Sequence, residues 1–384
     1  MDMNLIEQEL AKNACRRGPF VLEEPHIAEA LAYYGKEILP ESTYGACGFS
    51  AFGTFKLTNS MKAYTDLAFF QDAGEETAIS AHFATNAHGV NTTETVREPH
   101  EFTVKFLADK GNYEFVGSNL PVSFVRDPIV SLKMKGELNN LDPVHYWSFM
   151  AQNSETTNML LHLYTDEGIP ASYRTMRGTT VHAYRMTNAE GKEYYVKLRY
   201  IPKQGIVSLK PNEAERVKVL DRHYATHDMY IAIERGDYPE WDLFMQVLDP
   251  EKNAHYSYDP LDPTNDWLEC DFPYHKVGIM TLNEVAVLDR EERLSEKDYT
   301  TQWLEGSLSK QNQDAYKQAG EIYRSYREDI QKTVIANLVH ELSQLKDCNV
   351  DIVREVIMHF YQADKQLGES LADGCGIHLR DLIH

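Results

Sequence analysis

The stretch GNYEFVGSNLPVSFVRDP, residues 111–128, decides the fold. Within it Val122-Ser123-Phe124-Val125 alternates in the manner of a half-buried strand, and Gly, Asn and Pro punctuate it on both sides. Working outward, the same period of two runs from about residue 43 to 135, as in Ala51–Leu57 and Thr103–Phe106. A second alternating block, Thr179 to Tyr200, turns at Ala189-Glu190-Gly191, and a further strand is expected at Leu243–Val247. Helical spacing marks 4–12, 24–35, 141–165 and 212–236. After Val287 the pattern becomes helical throughout: Ala319, Ile322, Tyr323, Tyr326 and Ile330 form one stripe, and Val334, Leu338 and Leu342 continue it. Val353, Val356, Ile357 and Phe360 form another.

The chain has 384 residues, enough for one large domain with an appended module or for two domains. Its 38 basic and 59 acidic residues give a net charge of -21, which repels phosphate backbones and argues against nucleic acid. Five widely spaced cysteines form no CxxC pair, so neither a disulfide framework nor a zinc ribbon is signalled. No basic leader followed by an apolar run opens the chain, and no apolar run reaches 18 residues. The expectation is a cytoplasmic protein without a membrane partner.

The opening stretch resembles the segment of haem catalases usually seen as GNWDLVGNNTPVFFIRDP. The resemblance extends to Ala51-Phe52-Gly53-Thr54-Phe55, Thr95-Val96-Arg97-Glu98-Pro99, Val104-Lys105-Phe106, Gly168-Ile169-Pro170, Tyr224-Ala225-Thr226 and Gln246-Val247, all in family order. His359-Phe360-Tyr361-Gln362-Ala363-Asp364 resembles the family's C-terminal helices. It implies an α+β fold, a catalase-like antiparallel β-barrel with helical insertions and a C-terminal helical module. The expected divisions are an N-terminal arm at 1–40, the barrel at 41–287, a shortened wrapping segment at 288–317 and the helical module at 318–384.

The resemblance also says where haem chemistry would sit. The family's distal histidine falls at Gly45, a preceding arginine at Ser42, the arginine of its RFS at His82, the serine of RFS at Ala84, the pocket asparagine at Ser118 and a ring-stacking phenylalanine near Ser131. No arginine in the chain is followed four residues later by tyrosine, the pattern of the family's iron ligand, and only 34 residues separate Asn283 from Gln318. These substitutions lead to the expectation of a protein without haem or metal that has lost peroxide dismutation. It would bind or transform a small organic molecule in the former haem cavity. Tyr44, His82, Ser118 and Cys47 are its candidate site residues, with His82 as the proton carrier. The alternatives are a haem enzyme of the peroxidase, peroxygenase or hydroperoxide-rearranging kind with an atypical ligand such as Tyr299, and a non-enzymatic partner subunit. Assembly is expected as a homodimer or higher homo-oligomer.

Further histidines are weighed as metal ligands. His223 and His227 stand four apart on an expected helix, and His82, His88 and His100 are close in sequence. Both sets read as hydrogen-bonded structural residues before they read as a metal centre. Arg126 and Asp127 belong to the frame of the opening stretch and read as structural.

Overall fold

The computed structural model describes residues 48–85, 93–108, 111–127, 130–131, 134, 142–252, 256–286, 314–346 and 349–378. The expected arm at 1–40, with Tyr44, Gly45 and Cys47, lies outside them, as do His88 and most of the 288–317 segment, including Tyr299.

Among the described residues, nine antiparallel strands form one curled sheet: β1 (Gly48–Leu57), β2 (Glu76–Thr85), β3 (His100–Ala108), β4 (Gly111–Phe115), β5 (Gly178–Thr179), β6 (Tyr184–Thr187), β7 (Glu193–Pro202), β8 (Glu240–Leu248) and β9 (His275–Val285). Their order is β4-β3-β2-β1-β9-β8-β7-β5, with β6 pairing β7. The inward side chains of each strand meet in one core. Phe55, Phe83, Phe102, Phe106, Tyr200 and Trp241 are all at most 1% exposed. Their rings meet largely edge to face, as Phe83 and Phe102 do at 4.8 Å. Each such side chain contributes about 1.5–3 kcal/mol through burial. The indole N–H of Trp241 donates to the Met176 carbonyl at 3.0 Å, so the core holds no orphan there.

The helices are α1 (Pro143–Gln152), α2 (Thr157–Leu163), α3 (Pro211–Leu220), α4 (Tyr224–Glu234), α5 (Lys317–Ser325), α6 (Glu328–Leu345), α7 (Val350–Ala363) and α8 (Lys365–Cys375). Local chemistry sets their ends. Asp142 caps α1 by accepting from the Val144 N–H at 2.9 Å, with Pro143 in the first turn. Asp364 caps α8 at one end, and Gly376, at φ 64°, terminates the other. The periodic stretch 212–236 is two helices, because Asp221–His223 breaks it with non-helical backbone. The stretch 141–165 is likewise divided, at Asn153–Thr156.

A second core joins residues distant in sequence. Leu120, Val122, Phe124 and Val125 pack with Trp147, Met150 and Leu160 and with Leu338, Val356, Phe360 and Leu371 of the tail. This core explains a departure from the sequence pattern. Val122–Val125 alternates like a strand but pairs with none, since its apolar side chains are drawn out of the sheet into the helices.

Candidate functional site

The curled sheet closes at the residue that drew attention in the sequence. Beyond β4 the chain places Ser118 opposite both Glu101 of β3 and Thr179 of β5. Ser118 N–H donates to the Thr179 carbonyl and Thr179 N–H to the Ser118 carbonyl, each at 2.8 Å. Two glycines let the backbones come this close. A Cβ on Gly117 would lie 2.4 Å from the Thr179 carbonyl oxygen, and one on Gly178 would lie 2.6 Å from the Phe102 ring. The next residue, Asn119, is 1% exposed. It accepts from the His100 N–H at 2.7 Å and donates to the Glu167 carbonyl at 3.1 Å.

Opposed residues of antiparallel strands share a face, so register fixes what lies beside Ser118. Ser50 faces His82, His82 faces Thr103, and Glu101, two residues from Thr103, faces Ser118. Ser50, His82, Thr103, Glu101 and Ser118 therefore line the face opposite the aromatic core. Ser50 Oγ and His82 Nδ1 are hydrogen-bonded at 2.8 Å, and the Thr103 hydroxyl donates to Glu101 Oε1 at 2.8 Å. Of the four expected site residues, the structure brings His82 and Ser118 onto this one face; Tyr44 and Cys47 lie outside the described residues.

The same face continues past the seam into charged groups that the sequence reading missed. Thr179 faces Arg199 on β7, and Lys197 lies two residues further along. Arg199 donates to the Thr179 hydroxyl at 2.6 Å, to Gln246 Oε1 at 2.7 Å and to Asp266 Oδ1 at 2.5 Å. Burial alone would push the Asp266 carboxyl up; Arg199, His162 and Lys197 outweigh it and hold it below the usual range. Burial, and then repulsion from Arg199, push the Lys197 ammonium down to about 7. The signal was present in the strand: Lys197 and Arg199 alternate with Val196, Leu198 and Tyr200, and all five are buried. Charges alternating with apolar residues in a fully covered strand mark a polar second face.

Beside this charged cluster opens a cleft of about 670 Å³, lined by Asn119, His162, Arg177, Arg199, Asp266 and Tyr326 among others. His162 Nε2, Asp166 Oδ1 and the Tyr326 hydroxyl are buried there without hydrogen-bond partners, groups that ordered water or a polar ligand satisfies, while Arg177 Nε is ion-paired with Glu167 at 2.6 Å. Burial pushes the His162 imidazole down to about 4, against the pull of Asp266.

Three further histidines weighed in the sequence, His100, His223 and His227, lie within 4.0 Å of neighbouring oxygens. Both ring nitrogens of His100 lie within hydrogen-bond distance of carbonyls, of Glu98 at 2.9 Å and Glu94 at 3.0 Å, so the ring is lodged against backbone. His227 Nδ1 pairs with Asp221 at 2.7 Å, while His223 Nδ1 lies 4.0 Å from Glu94. Arg126 holds Glu155 at 2.7 Å and Asp262 at 3.4 Å, a frame for the second core.

Comparison with known proteins places this architecture. The family profile described as Catalase matches residues 3–287, and the profile described as Catalase-related immune-responsive matches 309–375. A catalase of Listeria seeligeri is 47% identical over 273 residues, covering 70% of this chain and 56% of that protein. A catalase of Listeria monocytogenes is 45% identical over 283 residues, covering 72% and 58%. The chain thus spans little more than half the length of these relatives. A catalase of Vibrio parahaemolyticus is 30% identical over 459 residues, covering 95% and 90%. Among solved structures, a bacterial catalase superposes with TM-score 0.76 at 23% identity, covering 94% of this chain and 91% of its own. Catalase A from Saccharomyces cerevisiae superposes with TM-score 0.74 at 22% identity, covering 94% of both chains.

These findings correct the expectation of a haem-free protein that has lost peroxide dismutation and turned its cavity to a small organic molecule. That expectation weighed the substituted pocket positions together with the missing RxxxY pattern and the short segment between Asn283 and Gln318. Identity of 45–47% to proteins named catalase, over 273 and 283 residues, weighs against it, and the family implies haem as cofactor. The α+β barrel with its helical insertions and helical tail stands, and the chain belongs to the catalase family.

Proposed function

We propose that this chain breaks down hydrogen peroxide as a haem-dependent catalase. The observation that carries the reading is 47% identity over 273 residues to a protein named catalase, across a span that includes the Ser118 seam. Haem, when bound, supplies the redox chemistry that turns peroxide into water and dioxygen. The described residues beside the seam suit the peroxide side of such a group: a partly buried imidazole fixed by Ser50, with the Ser118 hydroxyl on the same face. His82 would carry the proton between the two peroxide oxygens, Ser50 would set its ring orientation, and Ser118 would orient the bound oxygen. The iron's protein ligand would come from a sequence unlike RxxxY, and Tyr299 is our candidate.

An absorption spectrum of the purified chain, taken with measurement of dioxygen release, tests the reading. A Soret band at one haem per chain and dioxygen release from peroxide are expected, with both lost in Tyr299→Phe. A haem-saturated protein that releases no dioxygen would overturn the activity. An unchanged Soret band in Tyr299→Phe would overturn the ligand alone.

We further read the chain as a cytoplasmic homo-oligomer without a nucleic-acid partner. The acidic charge and the absence of a CxxC pair support this. No described helix is long and apolar enough to cross a membrane.

A further inference from the structure

Strand β3 turns Phe102, Val104 and Phe106 into the core and carries Glu101, Thr103 and Lys105 on the opposite face. Glutamate is depleted in strands, and Glu101 is half-buried in this one. Phe102 N–H donates to the Gly117 carbonyl and Asn119 N–H to the His100 carbonyl, each at 3.0 Å, so these bonds bracket Glu101 and Ser118. The two are therefore a non-hydrogen-bonded pair, the closer kind, with Cα atoms about 4.5 Å apart. On its other side Glu101 faces Ala84, and His82, which faces Thr103, is its diagonal neighbour within reach of a long side chain.

Other half-buried carboxylates of the chain are paired with arginine, Glu155 with Arg126 and Asp228 with Arg174. Glu101 is not. Among the described residues its carboxylate has one hydrogen-bond partner, the Thr103 hydroxyl on Oε1 at 2.8 Å, and Oε2 has none. Its charge is felt across the face: burial pushes the Glu114 carboxyl up, Lys105 pulls it down, and Glu101 adds to the rise. A carboxylate fixed by one oxygen, left open at the other and set between an imidazole and the seam has the arrangement of a base rather than of a strut.

We infer that Glu101 is a second proton holder for peroxide breakdown, working beside His82. The inference rests on the catalase reading above and adds a residue to it. When two peroxides become two waters and one dioxygen, one peroxide gives up two protons and two electrons. The other takes them as its O–O bond breaks. The electrons pass through the haem, and the two protons call for two bases. The seam face supplies an imidazole on β2 and a carboxylate on β3. Glu101 Oε2 takes one proton from the peroxide that leaves as dioxygen and returns it to an oxygen that leaves as water. Thr103, bonded to Oε1, is the positioning residue.

The haem-loaded full chain tests this with peroxide and with cyanide, which enters as hydrogen cyanide and gives up its proton as it binds. Glu101→Gln keeps the side chain's shape and its acceptor for Thr103. It is expected to lower dioxygen release about 100-fold and to slow cyanide association at least ~10-fold. The fall of both rates on the acid side of the wild-type pH profile should vanish in Glu101→Gln and persist in Glu101→Asp. Glu114→Gln removes the same charge from β4, opposite Lys105, and is expected to leave both rates near wild type. Should Glu101→Gln fail to load haem, Thr103→Val replaces it, with slower cyanide association expected and an unchanged rate counting against the inference. Wild-type cyanide association in Glu101→Gln would overturn the inference, while dioxygen release by the wild type would keep the catalase reading. Equal slowing by Glu114→Gln, or an acid limb that survives in every variant, would overturn it too. A wild type without a Soret band would overturn both, and that band is read before any variant is made.

Discussion

Ser118 and Thr179 exchange both of their backbone hydrogen bonds, and this pair joins the two halves of the barrel on the side away from the β1–β9 ladder. The bond belongs to the backbone; the Ser118 hydroxyl is engaged separately, donating to Asn119 Oδ1 at 3.3 Å and accepting from the Leu120 N–H at 3.2 Å. Gly117 is what the seam depends on most. Replacement by Ala would set a Cβ 2.4 Å from the Thr179 carbonyl oxygen, and urea denaturation should show a loss of about 1–3 kcal/mol. Ser118→Ala should cost far less.

Arg199 is the second point of dependence. With Met in its place, Asp266 would remain as a carboxylate in the sheet's covered face without its main cation. A loss of about 3–5 kcal/mol is expected from chemical denaturation. The double change Arg199→Met/Asp266→Leu should recover much of it, and failure to recover would mean that Arg199 acts through Thr179 and Gln246 instead.

Stability should fall on mild acidification. His162 is held neutral, its folded pKa lowered to about 4 from an ordinary 6.5. Between those values the unfolded chain binds the proton and the folded chain does not, so stability rises with pH across that window. The contribution is complete above about 6.5 and lost as pH drops toward 4, amounting to at most about 3 kcal/mol. Thermal melts of wild type and His162→Gln over this range check it. The variant should show a flatter profile, and parallel profiles would remove His162 as the cause.

His82→Ala should lower dioxygen release by about 100-fold or more while leaving the melting profile near wild type, because its ring is only partly buried. Ser50→Ala should have a smaller effect and displace the pH profile of the rate, since it leaves the imidazole in place but frees Nδ1. Equal rates in wild type and His82→Ala would remove the residue from the mechanism.

The barrel was legible because alternation is a local property. Ala51–Leu57, Thr103–Phe106 and the turn at Gly191 need only neighbouring residues to be read. Val122–Val125 departs from its period for the converse reason: its partners are helices, some of them more than 200 residues away, and period alone cannot name them. The site divided in the same way. His82 and Ser118 were found through the resemblance, yet their changed side chains were taken as evidence about the cofactor. What the structure shows at Ser118 is a backbone exchange with Thr179 beside a hydroxyl that bonds Asn119 and the Leu120 N–H. Arg199, Asp266 and His162 went unnoticed because three separate elements bring them together, and only the Lys197–Arg199 alternation left a trace in the sequence.

The second core also carries a message about synthesis. Its first residues, Leu120 to Tyr164, are laid down before the middle of the chain, while the side chains that cover them, Leu338 to Leu371, arrive among the last. Asn158 illustrates the wait, for one of its amide partners is Gln318, 160 residues downstream, at 2.8 Å. A ribosome therefore releases this apolar surface long before its cover exists. Such a chain cannot settle its helical half by stages from the N-terminus, and loss of the final helices would leave a sticky, half-finished protein rather than a trimmed barrel.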